Sequence, residues 1–318
     1  MIGYLVRRIP TALVVLFIAS LLIFSILRLI PGGPEAALAG SDATPADLAA
    51  IRHDLGLDRP FFVQYFSWLG AMVTFDFGKS YLIGGDIGDL VSFGAANTLA
   101  LAIAGLVVAI ALALALSLSV VIFDNRFTKI AATTVNAVAI AVPTFVIGTL
   151  LILVFGLKLR WLPAGGTPPN GISDSPQITA QYLILPALTL GLPAGALLAR
   201  FLTETLQTEL RQPYAVTARS LGIPQRTIVL RHVLRNALPP TLTALGLAIG
   251  GLLGGAILVE SIFGWPGLGL LTEEGIFNRD YPVVQVLILI SVTVFVVLQL
   301  ATDVLHAWLD PRIRLAGK

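Results

Sequence analysis

The chain contains no cysteine, which excludes disulfides, thiolate metal sites and cysteine nucleophiles. It is also poor in charge. Acidic and basic side chains make up 12% of 318 residues, against roughly 25% in soluble domains. Histidine occurs only as His53, His232 and His306, on separate segments and never as H-E-x-x-H. No G-x-x-x-x-G-K-[ST] run is present, so the chain lacks the usual glycine-rich cradle for ATP phosphates. The apolar runs carry no pair of acids suited to aspartyl proteolysis. A net charge of +2 gives no global attraction to nucleic acid. The chain is 56% hydrophobic, the composition of a polytopic membrane protein rather than of a soluble fold.

Six stretches reach the roughly 20 residues needed to cross a bilayer: 9–30, 98–123, 130–157, 182–206, 242–259 and 283–305. The first follows Arg7-Arg8 and is longer than the apolar core of a cleaved leader, so it reads as a span. Charge sorts with position. Segments 1–8, 124–129, 207–241 and 306–318 hold Arg7, Arg8, Arg126, Lys129, Arg211, Arg312, Arg314 and Lys318. Segment 31–97 is acidic, with Glu35, Asp42, Asp47, Asp54, Asp58, Asp76, Asp86 and Asp89 against Arg52, Arg59 and Lys79. The positive-inside bias then puts both termini in the cytoplasm; Lys158 and Arg160 run weakly against it. The expected fold is all-α, with six transmembrane helices and an extracytoplasmic segment after the first. The expected divisions are the N-terminus with the first span (residues 1–30), the segment 31–97, a core 98–306 and a tail 307–318.

The segment 31–97 is too patterned for a slack loop. Thr44-Pro45 with Asp47 predicts a helix start and Gly56 its stop. After Pro60 an amphipathic stretch carries Phe61, Phe62, Tyr65, Phe66, Trp68 and Leu69, aromatics suited to the headgroup level.

The most basic stretch of the chain is 214–240, YAVTARSLGIPQRTIVLRHVLRNALPP, with Arg219, Arg226, Arg231, His232 and Arg235 and no acid. It reads as two short helices. The first ends at Gly222, a residue suited to a left-handed cap, and the second begins at Pro224 and stops before Pro239-Pro240. Tyr214, Leu221 and Ile223 supply apolar surface for a contact centre, with arginines at its rim. Taken alone, the segment reads equally as a basic loop that fixes topology and touches anionic lipid.

In the fifth span Gly246, Gly250 and Gly254 recur every four residues, as do Gly251 and Gly255, a spacing that lets helices approach closely in lipid. Packing within the chain and an interface with a second subunit are both open. Pro143, Pro186 and Pro193 are candidate kinks. Arg200, Glu260 and Asp303 sit near span ends, where snorkelling is expected. Without ionisable groups at the midplane or broken inverted repeats, an ion-coupled secondary carrier is the weaker reading, and the energy source lies on another polypeptide.

The pattern A-R-S-L-G followed by R-H-V-L-R-N-A-L-P-P resembles the EAA motif of ABC importer permeases of the dipeptide/oligopeptide branch. The matching residues are Ala218, Arg219, Gly222, His232, Asn236 and Pro239; Val216-Thr217-Ala218 stands where Glu-Ala-Ala gives the motif its name, and Leu221 precedes the glycine. Further similarities are P-G-G-P at 31–34, LGLDRPFFVQYFSWL with FDFGKSY after it, WLPAGG at 161–166, ESIFGWPGLGLL at 260–271, RDYP at 279–282 and LDPRIR at 309–314. The resemblance implies a type I importer permease whose 214–238 coupling helices dock on a cytoplasmic ATPase through Tyr214, Ala218, Arg219, Leu221, Gly222, Ile223, His232 and Asn236. Gly246, Gly250 and Gly254 would line a contact with a second, related permease. It further implies one or two ATPase subunits carrying ATP and Mg, an extracytoplasmic substrate-binding protein, and no cofactor or metal on this chain. Di- and oligopeptides are the expected cargo, with nickel or another small solute as the alternative.

Overall fold

The computed structural model describes residues 2–29, 33–39, 43–169, 171–172 and 175–309. The chain folds as α1 (Ile2–Arg28), α2 (Pro34–Ala39), α3 (Pro45–Asp54), α4 (Phe61–Val73), α5 (Ile87–Phe123), α6 (Arg126–Ala141) and α7 (Thr144–Leu151). After α7 a wide π-type stretch runs over Ile152–Lys158. Then come α8 (Pro176–Leu210), α9 (Pro213–Ser220), α10 (Gln225–Ile228), a second π-type turn over Val229–Val233, α11 (Leu234–Phe263), α12 (Leu268–Phe277) and α13 (Tyr281–Leu309). Among the described residues there is no strand, only an isolated bridge between Lys79 and Asp86. The chain divides into two compact units, Met1–Ala96 with Gly267–Lys318, and Asn97–Pro266. The expectations for the motif opening at Pro31, for the side chain of Asp303 and for the chain from Asp310 onward lie outside the described residues.

In the first unit α3 begins and ends as its sequence predicts. Thr44 and Asp47 form a reciprocal capping box. Gly56 adopts φ +63, with the N–H of Leu57 donating to Arg52 O, so the glycine closes the helix in the left-handed region. The aromatic stripe of α4 does not lie uniformly at the surface as expected. Phe62 and Phe66 stay exposed, whereas Tyr65 is 1% exposed. Phe24 of α1 explains the difference. Its ring lies 5.4 Å from each of Phe61, Tyr65 and Trp68, and the Tyr65 hydroxyl meets Ser20 Oγ at 2.8 Å. Edge-on aromatic packing and a satisfied hydroxyl outweigh lipid contact for that residue.

The same unit holds a loop, 78–86, by one carboxylate. Asp280, fully buried, accepts hydrogen bonds from Ser80 Oγ at 2.5 Å and from the N–H groups of Tyr81, Leu82 and Ile83 at 3.3, 2.8 and 3.1 Å. Burial pushes the carboxyl up, but the Ser80 hydroxyl and these amides together hold it below the ordinary aspartate value of 3.8. A depressed carboxyl contributes stability above its unfolded pKa and loses it as pH falls through the folded one. Protection of the 79–83 amides in hydrogen exchange is therefore expected to be constant through neutral pH and to fall below about pH 4. Asp280→Ala should remove that protection at pH 7, since each buried donor left unpaired costs about 1–3 kcal/mol. Unchanged exchange in this variant at pH 7 would show that the loop is held by other means.

In the second unit, one core cluster joins the end of α5 (Val120, Val121), the start of α6 (Ala132), the end of α8 (Leu202, Leu206) and the α9–α11 segment (Ala215, Ile228, Val229, Val233, Ala237). Another joins the opposite ends: Leu101 of α5, Leu185 and Leu190 of α8, and Leu252 to Trp265 at the close of α11.

The expected third span, 130–157, is not one straight helix. It bends by 104° between α6 and α7. Pro143 lacks the N–H that would continue the ladder and forces Val142 into extended geometry (φ −82, ψ 125). The pair still crosses. It starts in the first cluster at Ala132 and reaches the second through Leu151, Ile152, Phe155 and Leu162. Counted with α1, α5, α8, α11 and α13, whose apolar stretches are each long enough to span, it makes six among the described residues. Pro186 and Pro193, by contrast, lie within the continuous α8.

Two more expectations are corrected here. The helix after Pro224 does not stop before Pro239-Pro240; it runs on to Phe263 with both prolines inside α11. The carbonyls they leave without a donor belong to Arg235 and Asn236, both exposed residues at the polar end of the helix, so water can satisfy them. Glu260 does not snorkel. It is fully buried, its Oε1 accepting from Thr98 Oγ1 at 2.6 Å. Beside it the Trp265 indole N–H donates to Asn97 O at 2.9 Å while Asn97 Nδ2 donates to Pro266 O at 3.0 Å. Arg200 is exposed and pairs with Glu204 at 3.4 Å.

Candidate functional site

The basic segment forms a knob at the end of the second unit where α5 ends and α6 begins. Its turn is a complete Schellman motif. Leu221 is the C-cap of α9, Gly222 has φ +77, its N–H donates to Arg219 O, and the N–H of Ile223 donates to Ala218 O. The turn satisfies the last carbonyls of α9 and points the chain into α10. Pro224, with no N–H to waste, is the N-cap residue of α10.

The knob has two faces. Ala215 is fully buried in the first core cluster, with Ala218 and Ile223 packed against it. Ile228, Val229 and Val233 anchor the second helix in the same cluster, and Gln225 Nε2 reaches Val121 O at the end of α5. Helix α9 is thus seated on the span ends through its alanines and Ile223, which face inward rather than outward. The outward face shows Val216 at 53% and Leu221 at 74% exposure. Tyr214 stands beside them, half-exposed, its hydroxyl donating to Glu209 at 2.7 Å. Burial and that bond push the tyrosine hydroxyl up, against a lowering bond with Asn236, so the structure brings Tyr214 and Asn236 together. Arg219 is exposed, with Nη2 donating to Gln225 Oε1 at 3.3 Å. Asp124 lies close enough for Arg219 to help lower its carboxyl, after the stronger effect of Lys129 at 2.6 Å. His232 is exposed on the turn that opens α11.

The outward face is therefore apolar at its centre, basic at its edge and free of acid over 213–235. Val216 belongs to that face and was missed from sequence, although it occupies the position where the family motif places its glutamate.

The glycines of α11 fall on a different kind of surface. Ala248, Leu252, Ala256 and Val259 form its buried stripe. A Cβ at Gly250, Gly251 or Gly254 would meet no atom within 4 Å; at Gly255 it would touch Leu190 at 3.1 Å. Leu247 and Leu258 flank the open stripe at 68% and 56% exposure. Gly246 is half-buried on the same helix. The close helix contact in this unit lies elsewhere. A Cβ at Gly191 would come within 2.5 Å of Gly105 O, and at Gly195 within 2.9 Å of Ala109 O. Their four-residue spacing in α8 carries the same sequence signal as the α11 ladder.

The described residues contain no cluster of three metal-ligating side chains. Two family descriptions match the chain: "Binding-protein-dependent transport system inner membrane component" over residues 105–315, and its N-terminal membrane component over 1–88. Among similar proteins, the glutathione transport system permease protein GsiC of Escherichia coli (strain K12) is 37% identical over 314 residues, 99% of each chain. The protein of the same name from Shigella dysenteriae serotype 1 is 37% identical and that from Shigella flexneri serotype 5b 36% identical, again over 99% of each chain. With six apolar crossings among the described residues and these family matches, the chain belongs to the binding-protein-dependent ABC importer permeases of the dipeptide/oligopeptide type, multi-pass transport subunits of the inner membrane that are not enzymes.

Proposed function

We propose that this chain forms half of the translocation pathway for short peptides, glutathione among them, and passes the work of a cytoplasmic ATPase to the membrane spans. The observation that carries the reading is the two-faced knob. Its inner face is continuous with the core joining α5, α6, α8 and α11, so a displacement of the knob moves four span ends together. Its outer face, with Tyr214, Val216, Leu221 and Arg219 outward, has the apolar centre and basic rim of a protein contact. Ala218, Gly222, Ile223, His232 and Asn236 shape and support that surface.

With the bent pair counted as one crossing, the knob, Arg126 and Lys129 fall on the same side as both termini, which the charge bias makes the cytoplasm. Residues 31–97 then face outward and help receive a substrate-binding protein. The open glycine stripe of α11 meets a second, related permease, and ATP and Mg reside on one or two ATPase subunits. Peptide cargo rests on the relatives' names. Nickel or another small solute is the alternative within the same architecture.

The test is ATP-driven uptake in proteoliposomes holding this chain, its partner permease, the ATPases and the binding protein. Labelled di- and tripeptides, glutathione included, are expected to enter only with ATP inside and binding protein outside. Uptake of nickel but of no peptide would move the cargo assignment, and uptake driven by a proton or sodium gradient without ATP would end the importer reading.

A further inference from the structure

The first unit has a half-open cavity of about 450 Å³ that no step of the transport reading uses. Its walls come from α1, the 54–59 turn, α4, the 76–81 loop and the start of α13. Its depth in the bilayer follows from the spans. The apolar stretch of α1 ends at Ile26 and that of α13 begins at Tyr281, and Arg28 and Tyr281 both line the cavity. It therefore sits where hydrocarbon gives way to headgroups.

The lining has two characters. Phe24, Trp68, Met72 and Val286 make an apolar wall. Around it stand the cations Arg28, Arg59 and Lys79 and the acids Asp54 and Asp76. No ion pair within 4.0 Å involves these three cations among the described residues. Arg28 instead lies over the Phe24 ring at 4.2 Å, which fixes its guanidinium, with Glu35 near enough to act on its charge without forming a contact pair. Asp76 accepts one backbone N–H, from Gly78 at 3.3 Å. Tyr281, 7% exposed, also lines the cavity, with its hydroxyl buried away from the open space.

Cations outside any ion pair within 4.0 Å and separate acids, beside an aromatic wall, suit a ligand with a phosphate and an ammonium on a short linker. We infer that this cavity holds the headgroup of a zwitterionic phospholipid, a phosphate diester bearing a primary amine, as a resident lipid of the permease. Arg28, Arg59 and Lys79 take the phosphate, with the fork of an arginine matching its oxygens. Asp54 and Asp76 face the ammonium.

The test is native mass spectrometry of the full chain purified from membranes in mild detergent, with lipid added back from vesicles of phosphatidylethanolamine or phosphatidylglycerol. The wild type is expected to retain one phosphatidylethanolamine in preference to phosphatidylglycerol. Arg28→Gln with Arg59→Gln should lower retention by about tenfold or more, the scale of one charge-assisted bond. Arg28→Lys with Arg59→Lys should restore some of it. Asp54→Asn with Asp76→Asn should reverse the preference toward phosphatidylglycerol, a readout that misfolding does not produce. Equal retention in wild type and the Arg28→Gln, Arg59→Gln variant overturns the site. So does an unaltered preference in the aspartate variant. Displacement of the lipid by soluble glycerophosphoethanolamine at equal concentration would show that the cavity takes the soluble headgroup and would overturn the lipid as its occupant.

Discussion

Gly222→Val is expected to leave the permease inserted in the membrane and to strip it of its ATPase. Gly222 has φ +77 and completes the Schellman turn between α9 and α10. A β-branched residue there is strained by about 1–2 kcal/mol or more. The strain is purely backbone, because a Cβ at this position meets no atom within 4 Å. Relief comes from opening the turn, which swings Leu221 and Arg219 away from the positions they share with Val216 and Tyr214. The spans are buffered from this change by Ala215, Ile228 and Val233, which stay in the core. Gly222→Asn is the informative control, since asparagine tolerates the left-handed region; it should keep most of the coupling that valine loses. Arg219→Glu should uncouple without strain, by placing an acid beside Asp124 and reversing the sign of the rim. The measurement pairs ATPase co-purification with hydrolysis stimulated by the binding protein in reconstituted complexes. A loss of about tenfold or more in co-purification corresponds to roughly 1.4 kcal/mol, within reach of one interface anchor. Wild-type behaviour of both Gly222→Val and Arg219→Glu in both assays would reduce the knob to a basic loop that sets topology.

What the sequence disclosed and what it hid divide along a physical line. Local signals read correctly: Thr44 with Asp47 opens α3, Gly56 closes it and Gly222 turns the knob, because caps depend on neighbours a few residues away. Spans read well from apolar length. Prolines read only in part, because the fate of the carbonyl they orphan is a tertiary matter. Pro143 breaks its span, Pro186 and Pro193 do not, and Pro239-Pro240 sit in a helix end wet enough to tolerate them. The anchoring of the 78–86 loop was invisible because its acceptor, Asp280, is distant in the chain, with a separation of 200 positions from Ser80. Glu260 looked like a surface acid by its place near a span end, and only Thr98 on another helix reveals it as a core group. At the knob, composition identified the segment, but which apolar groups face outward depended on the turn geometry. That geometry took Ile223 inward and left Val216 out.

Gly250→Leu and Gly254→Leu are expected to abolish assembly of the permease pair while leaving this chain folded. The two outcomes separate because of where these glycines stand. Leucine at either position meets nothing of its own chain within 4 Å of its Cβ, and leucine is a better helix former than glycine by somewhat less than about 1 kcal/mol. Taken alone, the chain should be unharmed or slightly stabilised. Gly191→Leu is the contrast. Its Cβ would lie 2.5 Å from Gly105 O, so it should destabilise the isolated chain by forcing α8 from α5. If α11 meets a second permease along Leu247, Gly250, Gly251, Gly254 and Leu258, added bulk holds the two backbones apart and forfeits the close contact that drives helix association in lipid. If the stripe faces only lipid, leucine is as much at home there as glycine, and assembly and uptake stay normal. Fluorescence size-exclusion of the chain alone and of the co-expressed pair distinguishes the cases: Gly254→Leu should pass the first and fail the second, whereas Gly191→Leu should fail both. A fully assembled, transporting Gly250→Leu, Gly254→Leu double variant would place the subunit interface on another helix.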